Sequence, residues 1–452
     1  MGRMIKRAAR TLLCGTLSLS LIPATSASGG IPVPWVPANA GVLWYQPNDP
    51  VWPFGLPRQQ PGEASWYLTR RIATHPTLPG VMHMGSFLHG LYISVGGGAW
   101  VARSPACLLP FNRPPGTPPD TQGAYDYARR LAIASTGIHG CAIEGIAYDP
   151  IIPTRMYVAA YDVAQLVGTE PVLGDAGVYR SDDLGLTWTR LAGGFRGNGL
   201  AVTTNGLQRT IVVGYIQASN SGVGSTPGGG SLMVSRDSGD SWKQVTLPSA
   251  GCADTPNTSQ RITPTIVVNP ANASQILAGT NAGLYASDDG GQAWRLVRAV
   301  CGGVWGIAFS RDGQTVYTGD TNGVVSKAPS STLASEPILD LGNGRIQSLI
   351  VDQRDGRTLY AAMWAGGDAS VYSIPVNGGA KQRLDDSLLR DVLPLDQAWP
   401  PGIPKPFPIS FKDSSGASAP SLFLTQGHAA LSEPTAPLWV STILRGAFVR
   451  GD

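Results

Sequence analysis

The sequence predicts an all-β chain folded as a single β-propeller of about seven four-stranded blades, closed by a strand from its N-terminal part. Three observations predict it. A short motif recurs in phase, its serines 54 and 52 residues apart at Ser181, Ser235 and Ser287, about the length of one blade. Each copy follows a short run of β-forming residues. The composition, 57 Gly and 37 Pro with only 14% charged residues, suits many short strands joined by tight turns, and long amphipathic helices are almost absent.

Residues 1–27 read as an export signal. Arg3, Lys6, Arg7 and Arg10 precede the apolar run from Leu12 to Ile22, and Thr25-Ser26-Ala27 offers small residues for cleavage. The run is too short to span a bilayer core of roughly 30 Å as a helix, and no later segment is a transmembrane candidate. Cleavage removes four basic residues and leaves 29 Lys+Arg against 30 Asp+Glu. The mature chain is therefore near neutral, and nothing in it asks for nucleic acid. A secreted or periplasmic location and a monomer are expected. Four cysteines remain: Cys107, Cys141, Cys252 and Cys301. An even number in an exported chain favours two disulfides. No CxxC pair, phosphate loop, nucleophile elbow or dinucleotide fingerprint occurs in suitable context, and the five histidines show no metal-ligating pattern. No cofactor and no metal are expected.

Residues 28–65 form an N-terminal segment in which Gly41-Val-Leu-Trp-Tyr45 reads as the closing strand, and residues 66–452 form the propeller. Blades are expected near 66–103, 141–194, 197–248, 262–299, 303–335, 344–385 and 405–452. Each opens with a strand, a turn and a second strand, as in Gly145–Asp149 then Met156–Ala160. The boxes follow: Ser181, Asp183, Gly185 and Trp188; Ser235, Asp237, Gly239 and Trp242; Ser287, Asp289, Gly291 and Trp294. A degenerate copy lies at Ser94–Trp100. In such a hairpin the Asp carboxylate and the Ser or Thr hydroxyl can bond turn backbone groups. Gly accepts a positive φ, and Trp packs beneath the turn. These acids are expected to be structural rather than catalytic.

The pattern resembles the Asp-box (BNR-repeat) superfamily, whose motif is Ser-x-Asp-x-Gly-x-Thr-Trp and which includes sialidase, xyloglucanase and sortilin-like propellers. The second copy carries Ser241 for Thr, and the third departs at Ala293. The resemblance implies that ligands use the face opposite the boxes. The insertions at 103–141, 162–176 and 216–230 belong to loops of that face, and so do the cysteines, for which Cys107–Cys141 and Cys252–Cys301 pairings are expected.

Residues just before each innermost strand should rim the channel on that face: Arg70, Glu144, Asn198, Arg261, Trp305, Arg345 and Gln347, with Arg196 nearby. Converging arginines suit a carboxylate, as in sialidases. The Arg-Ile-Pro motif of sialidases is here Arg70-Arg71-Ile72-Ala73, and no paired Tyr and Glu nucleophile can be located. A glycosidase needs two carboxyl groups roughly 5 to 9.5 Å apart. Glu144, Asp162, Asp175, Asp320 and Asp368 are the candidates, with Tyr161 and Trp364 as platforms for sugar rings. Salt bridges and bonds to loop carbonyls are the competing reading of the arginines. The sequence favours a binding or scaffold protein with a protein or carbohydrate partner. A glycoside hydrolase, xyloglucanase-like before sialidase-like, is the alternative.

Overall fold

The computed structural model describes residues 36–37, 69–86, 90–96, 100–103, 136–138, 142–161, 176–193, 196–216, 231–252, 265–352, 354–365, 368–384, 411–412, 418–419, 422–426, 438–442 and 446–450. All regular elements among them are strands. Six blades each consist of four consecutive antiparallel strands: blade 1 at 69–102, blade 2 at 142–193, blade 3 at 196–246, blade 4 at 265–299, blade 5 at 304–340 and blade 6 at 345–383. A further four-stranded sheet is composite. Its three C-terminal strands, Leu422–Gln426, Leu438–Thr442 and Gly446–Arg450, are joined by Val36–Pro37. Leu422–Gln426 packs beside the first strands of blades 1 and 6, which closes the ring. The count of about seven is reached only by including this composite sheet. A small ribbon, Phe411–Lys412 with Ser418–Ala419, precedes it.

Two expectations about the ends need correction. The closing strand is Val36–Pro37, paired with Phe448 and Val449, whereas the expected one, 41–45, lies outside the described residues. Pro37 suits that place because the outermost strand has one unpaired edge and a missing N–H is tolerated there. Blade 5 runs past 335, since its outer strand is Glu336–Asp340. The signal segment 1–27 is outside the described residues, and no described helix is long and apolar enough to cross a membrane.

Alternation along the strands builds the ring. In Met156–Tyr161, Met156, Val158 and Ala160 pack with Leu91, Ile138 and Ile143 toward blade 1. Tyr157 and Ala159 point the other way and pack with Leu200, Ile211 and Val213 of blade 3. A middle strand of a blade is therefore apolar on both faces, each buried side chain contributing roughly 1.5–3 kcal/mol. Glycines let the innermost strands approach. A Cβ on Gly145 would lie 2.8 Å from Leu200 Cβ, and one on Gly306 2.9 Å from Leu349 Cβ.

The three box turns form as expected. The Ser181 hydroxyl donates to Asp183 (2.7 Å) and accepts from the Gly185 amide (2.7 Å). Asp183 accepts from the Thr187 amide (2.8 Å) and hydroxyl (2.6 Å), and Trp188 Nε1 donates to the Gly185 carbonyl (3.1 Å). Ser235, Asp237, Ser241 and Trp242 repeat this pattern. In the third turn Ala293 keeps the amide bond to Asp289 but has no hydroxyl to add. Gly185, Gly239 and Gly291 have φ of 87°, 104° and 88°, the region that glycine occupies without a Cβ penalty.

Candidate functional site

The hairpins put the box turns and the turns between first and second strands on one face. The opposite face carries the starts of the innermost strands, and there the blades share an irregularity. In blade 2, Ile143 pairs with Ala160 and Gly145 with Ala159, so Glu144 is an extra, bulged residue. Asn198 in blade 3, Trp305 in blade 5 and Gln347 in blade 6 are bulged at the same step. Blade 1 holds its extra residue within Arg70-Arg71. A bulge re-aims a side chain out of the regular alternation of a strand. The expected rim residues that are described therefore sit inside the innermost strands rather than just before them.

All four of these single bulged residues are buried: Glu144, Asn198, Trp305 and Gln347 are each at most 8% exposed. Asn198 is the most informative. Neither its amide nitrogen nor its amide oxygen has a hydrogen-bond partner, and an unmade bond of this kind costs about 1–3 kcal/mol. Arg345, two residues before Gln347, is buried with its guanidinium 4.6 Å over the Trp305 ring. Trp305 is itself fixed by donating Nε1–H to the Gly302 carbonyl (2.8 Å). Its backbone carbonyl accepts from the Thr265 hydroxyl (2.6 Å).

The other expected site residues fall as follows. Trp364 is the register partner of Arg345, so Trp305, Arg345 and Trp364 gather at the seam of blades 5 and 6. Trp364 is fully buried, which removes it as an open platform for sugar rings. Asp320 is also buried and is occupied by structure. Its carboxylate caps the following turn through the amides of Asn322 (3.0 Å) and Val324 (3.1 Å) and pairs with Arg298 (3.7 Å). These bonds tie its carboxylate to the fold. Arg70 is the second residue of the first strand of blade 1, Arg196 opens that of blade 3, Tyr161 ends the second strand of blade 2, and Asp368 begins the third strand of blade 6. Asp162, Asp175, Arg261, Cys107 and Cys141 lie outside the described residues. Cys252 and Cys301 are joined, 49 residues apart, linking the exits of blades 3 and 4.

The chain is similar to solved β-propellers. It resembles the GH74 xyloglucanase from Xanthomonas campestris at 18% identity and a TM-score of 0.51, over 92% of this chain and 55% of that one. It resembles an ancestral GH74 enzyme at 16% and 0.52, over 86% and 45%, and the Niastella koreensis GH74 enzyme at 18% and 0.50, over 71% and 45%. At such identity the likeness shows the fold alone. The propeller spans about half the length of these enzymes. No protein-family model matches the sequence, and no curated protein does.

The signal that would have placed the site better is a short repeat at the channel mouth. Glu144-Gly-Ile-Ala, Asn198-Gly-Leu-Ala and Trp305-Gly-Ile-Ala share a form, and Gln347-Ser-Leu-Ile varies it. The first position of each is the bulged residue. The next is small because the neighbouring innermost strand passes within contact. Among the described residues no group of His, Cys, Asp and Glu is arranged to hold a metal ion.

Proposed function

We propose that this chain is an exported, non-catalytic propeller of the Asp-box kind that grips a ligand at the mouth formed by the bulged starts of its innermost strands. The observation that carries this reading is the buried Asn198 amide, which keeps both a donor and an acceptor unpaired within a register position that other blades fill with Glu144, Trp305 and Gln347. Such a set suits a partner offering donors and acceptors together, a glycan or an extended protein segment. The Arg345–Trp305 pair supplies one fixed positive group beside it.

The second reading is a glycoside hydrolase, favoured by the likeness to GH74 enzymes. Against it, hydrolysis needs two carboxyl groups across the scissile bond, and Asp320 is committed to its turn and to Arg298. A panel of polysaccharides and extracellular proteins, assayed for binding by calorimetry and for release of reducing ends, tests both. Binding without release, weakened at least about tenfold in Gln347→Leu, is expected. Release of reducing ends that is lost in Glu144→Gln would replace the binding reading with the hydrolase.

A further inference from the structure

On the face of the box turns, polar side chains near the ends of innermost strands tie one blade to the next, and one tie differs in kind. At the seam of blades 4 and 5 the tie is a pair of amides. Asn269 accepts from the Ala271 amide of its own turn (2.8 Å) and donates to the Gly313 carbonyl of blade 5 (2.9 Å). Gln275, in the second strand of blade 4, donates to the Ser330 carbonyl between the third and fourth strands of blade 5 (2.8 Å). Neither side chain titrates.

At the seam of blades 1 and 2 two imidazoles take the same places. His75 Nδ1 accepts from the Thr77 and Leu78 amides of its own turn (3.1 and 2.9 Å). Its proton is therefore on Nε2, which donates to the Pro153 carbonyl in the first turn of blade 2 (2.6 Å). His83, in the second strand of blade 1, donates Nε2–H to the Leu184 carbonyl in the box turn of blade 2 (3.1 Å), and its Nδ1 accepts from the Tyr148 hydroxyl (2.7 Å). The Tyr148 ring lies against both, 4.7 Å from His75 and 5.7 Å from His83. Both imidazoles are fully buried.

We infer that the seam of blades 1 and 2 is an acid-operated latch, which holds the two blades together at neutral pH and opens locally as His75 and His83 take up protons. A proton on His75 Nδ1 would face two amide N–H groups and displace them. A proton on His83 Nδ1 would turn the Tyr148 hydroxyl to the Ala73 carbonyl, 3.3 Å away, and leave a buried charge. Burial chiefly depresses the His83 pKa, to about 4, and Arg103 and His75 also oppose the charge. Tyr148 stays neutral, since burial raises its own pKa. The carboxylates of the blade 2 turns are committed elsewhere: Asp182 to Arg155 and Arg180, Asp183 to Ser181 and Thr187, and Asp149 to Arg209. In the open seam the imidazoles take their ordinary value near 6.5. Closure is therefore complete above about pH 6.5 and weakens as pH falls toward 4.

Hydrogen exchange of the purified chain at pH 7 and pH 4.5, corrected for the intrinsic pH dependence of exchange, tests this. Protection over residues 75–83 should fall at least about tenfold at pH 4.5, while protection over residues 269–280 is retained. The double variant His75→Asn with His83→Gln copies the amide pair of blades 4 and 5. It should keep its protection over 75–83 at both pH values. Equal protection of 75–83 in the parent at the two pH values, an equal loss over both segments, or a loss that survives in the double variant would each overturn the proposal. The first two comparisons use the parent alone and decide the matter even where the double variant misfolds.

Discussion

Two kinds of residue in this chain give opposite accounts of stability. In the box turns the Ser hydroxyls and Asp carboxylates are all hydrogen-bonded. Asp237 sits near 2 because the Ser241 hydroxyl and amide stabilise its charge. For Asp183 and Asp289, burial pushes upward but the turn's hydrogen bonds outweigh it, so both stay below the ordinary value. Ala293 is the one gap in this scheme, since the amide bond remains and the hydroxyl is missing. Ala293→Thr should add a bond to Asp289 and stabilise the protein by about 0.5–1.5 kcal/mol, measured as a raised urea midpoint. Asn198 is the reverse case, a buried amide with nothing to bond. Asn198→Leu should leave the unliganded protein as stable as before or more so, by up to about 1–3 kcal/mol, while ligand binding falls. A loss of stability would mean that the amide serves the fold.

At the scale of elements, polar side chains bridge neighbouring blades on the turn face. Asp149 illustrates it: Oδ1 accepts from the amides of Ile151 and Ile152 (2.9 Å each), and Oδ2 accepts from Arg209 of blade 3 (2.7 Å). Burial alone would raise the Asp149 carboxyl, but Arg209 and the two amides hold it below its ordinary value. Removing one member leaves the other as a buried charge, so Arg209→Leu should cost about 3–5 kcal/mol, read from denaturant unfolding. His83 carries the opposite sign. It lies between Leu184 and Tyr148, whose hydroxyl is 2.7 Å from Nδ1. Burial drives its pKa down to about 4. The fold thus favours neutral His83, and its contribution is complete above about pH 6.5 and is lost as pH falls toward 4. The difference is about 3 kcal/mol. Melting curves from pH 7 to 4 should fall less steeply in His83→Gln than in the parent, and equal slopes would refute this.

The whole molecule is a ring of mostly local sheets held by two long-range devices. One is the composite sheet in which Val36–Pro37 completes the C-terminal strands. The other is the Cys252–Cys301 bond between successive blade exits. In the chain-entropy picture a loop of 49 residues makes that bond worth about 4 kcal/mol. Cys252→Ser with Cys301→Ser should lower the melting temperature, and reductant should lower it equally in the parent but not in the double variant. Ring geometry also explains how the first inter-blade link misled the sequence reading. The expectation kept 103–141 on the face opposite the boxes. Yet the Thr136 carbonyl accepts from the Trp188 amide (2.7 Å), and Ile138 is buried in the cluster with Trp188. The end of that link therefore runs down the side of blade 2.

The sequence alone determined the repeating unit, because its causes are local. A Ser-Asp-Gly-Trp turn satisfies its own backbone within eight residues, and alternation along a strand depends only on neighbours in the chain. The box turns and most strand positions were legible for that reason, and the Cys252–Cys301 pairing followed from the phase of the repeat. The tertiary structure decided what depends on blades meeting. It put bulges at Glu144, Asn198, Trp305 and Gln347, buried Trp364, tied Asp320 to Arg298, and chose Val36–Pro37 as the closing strand. Each of these outcomes depends on which surfaces lie across the ring from one another, and that geometry exists only once the blades have packed.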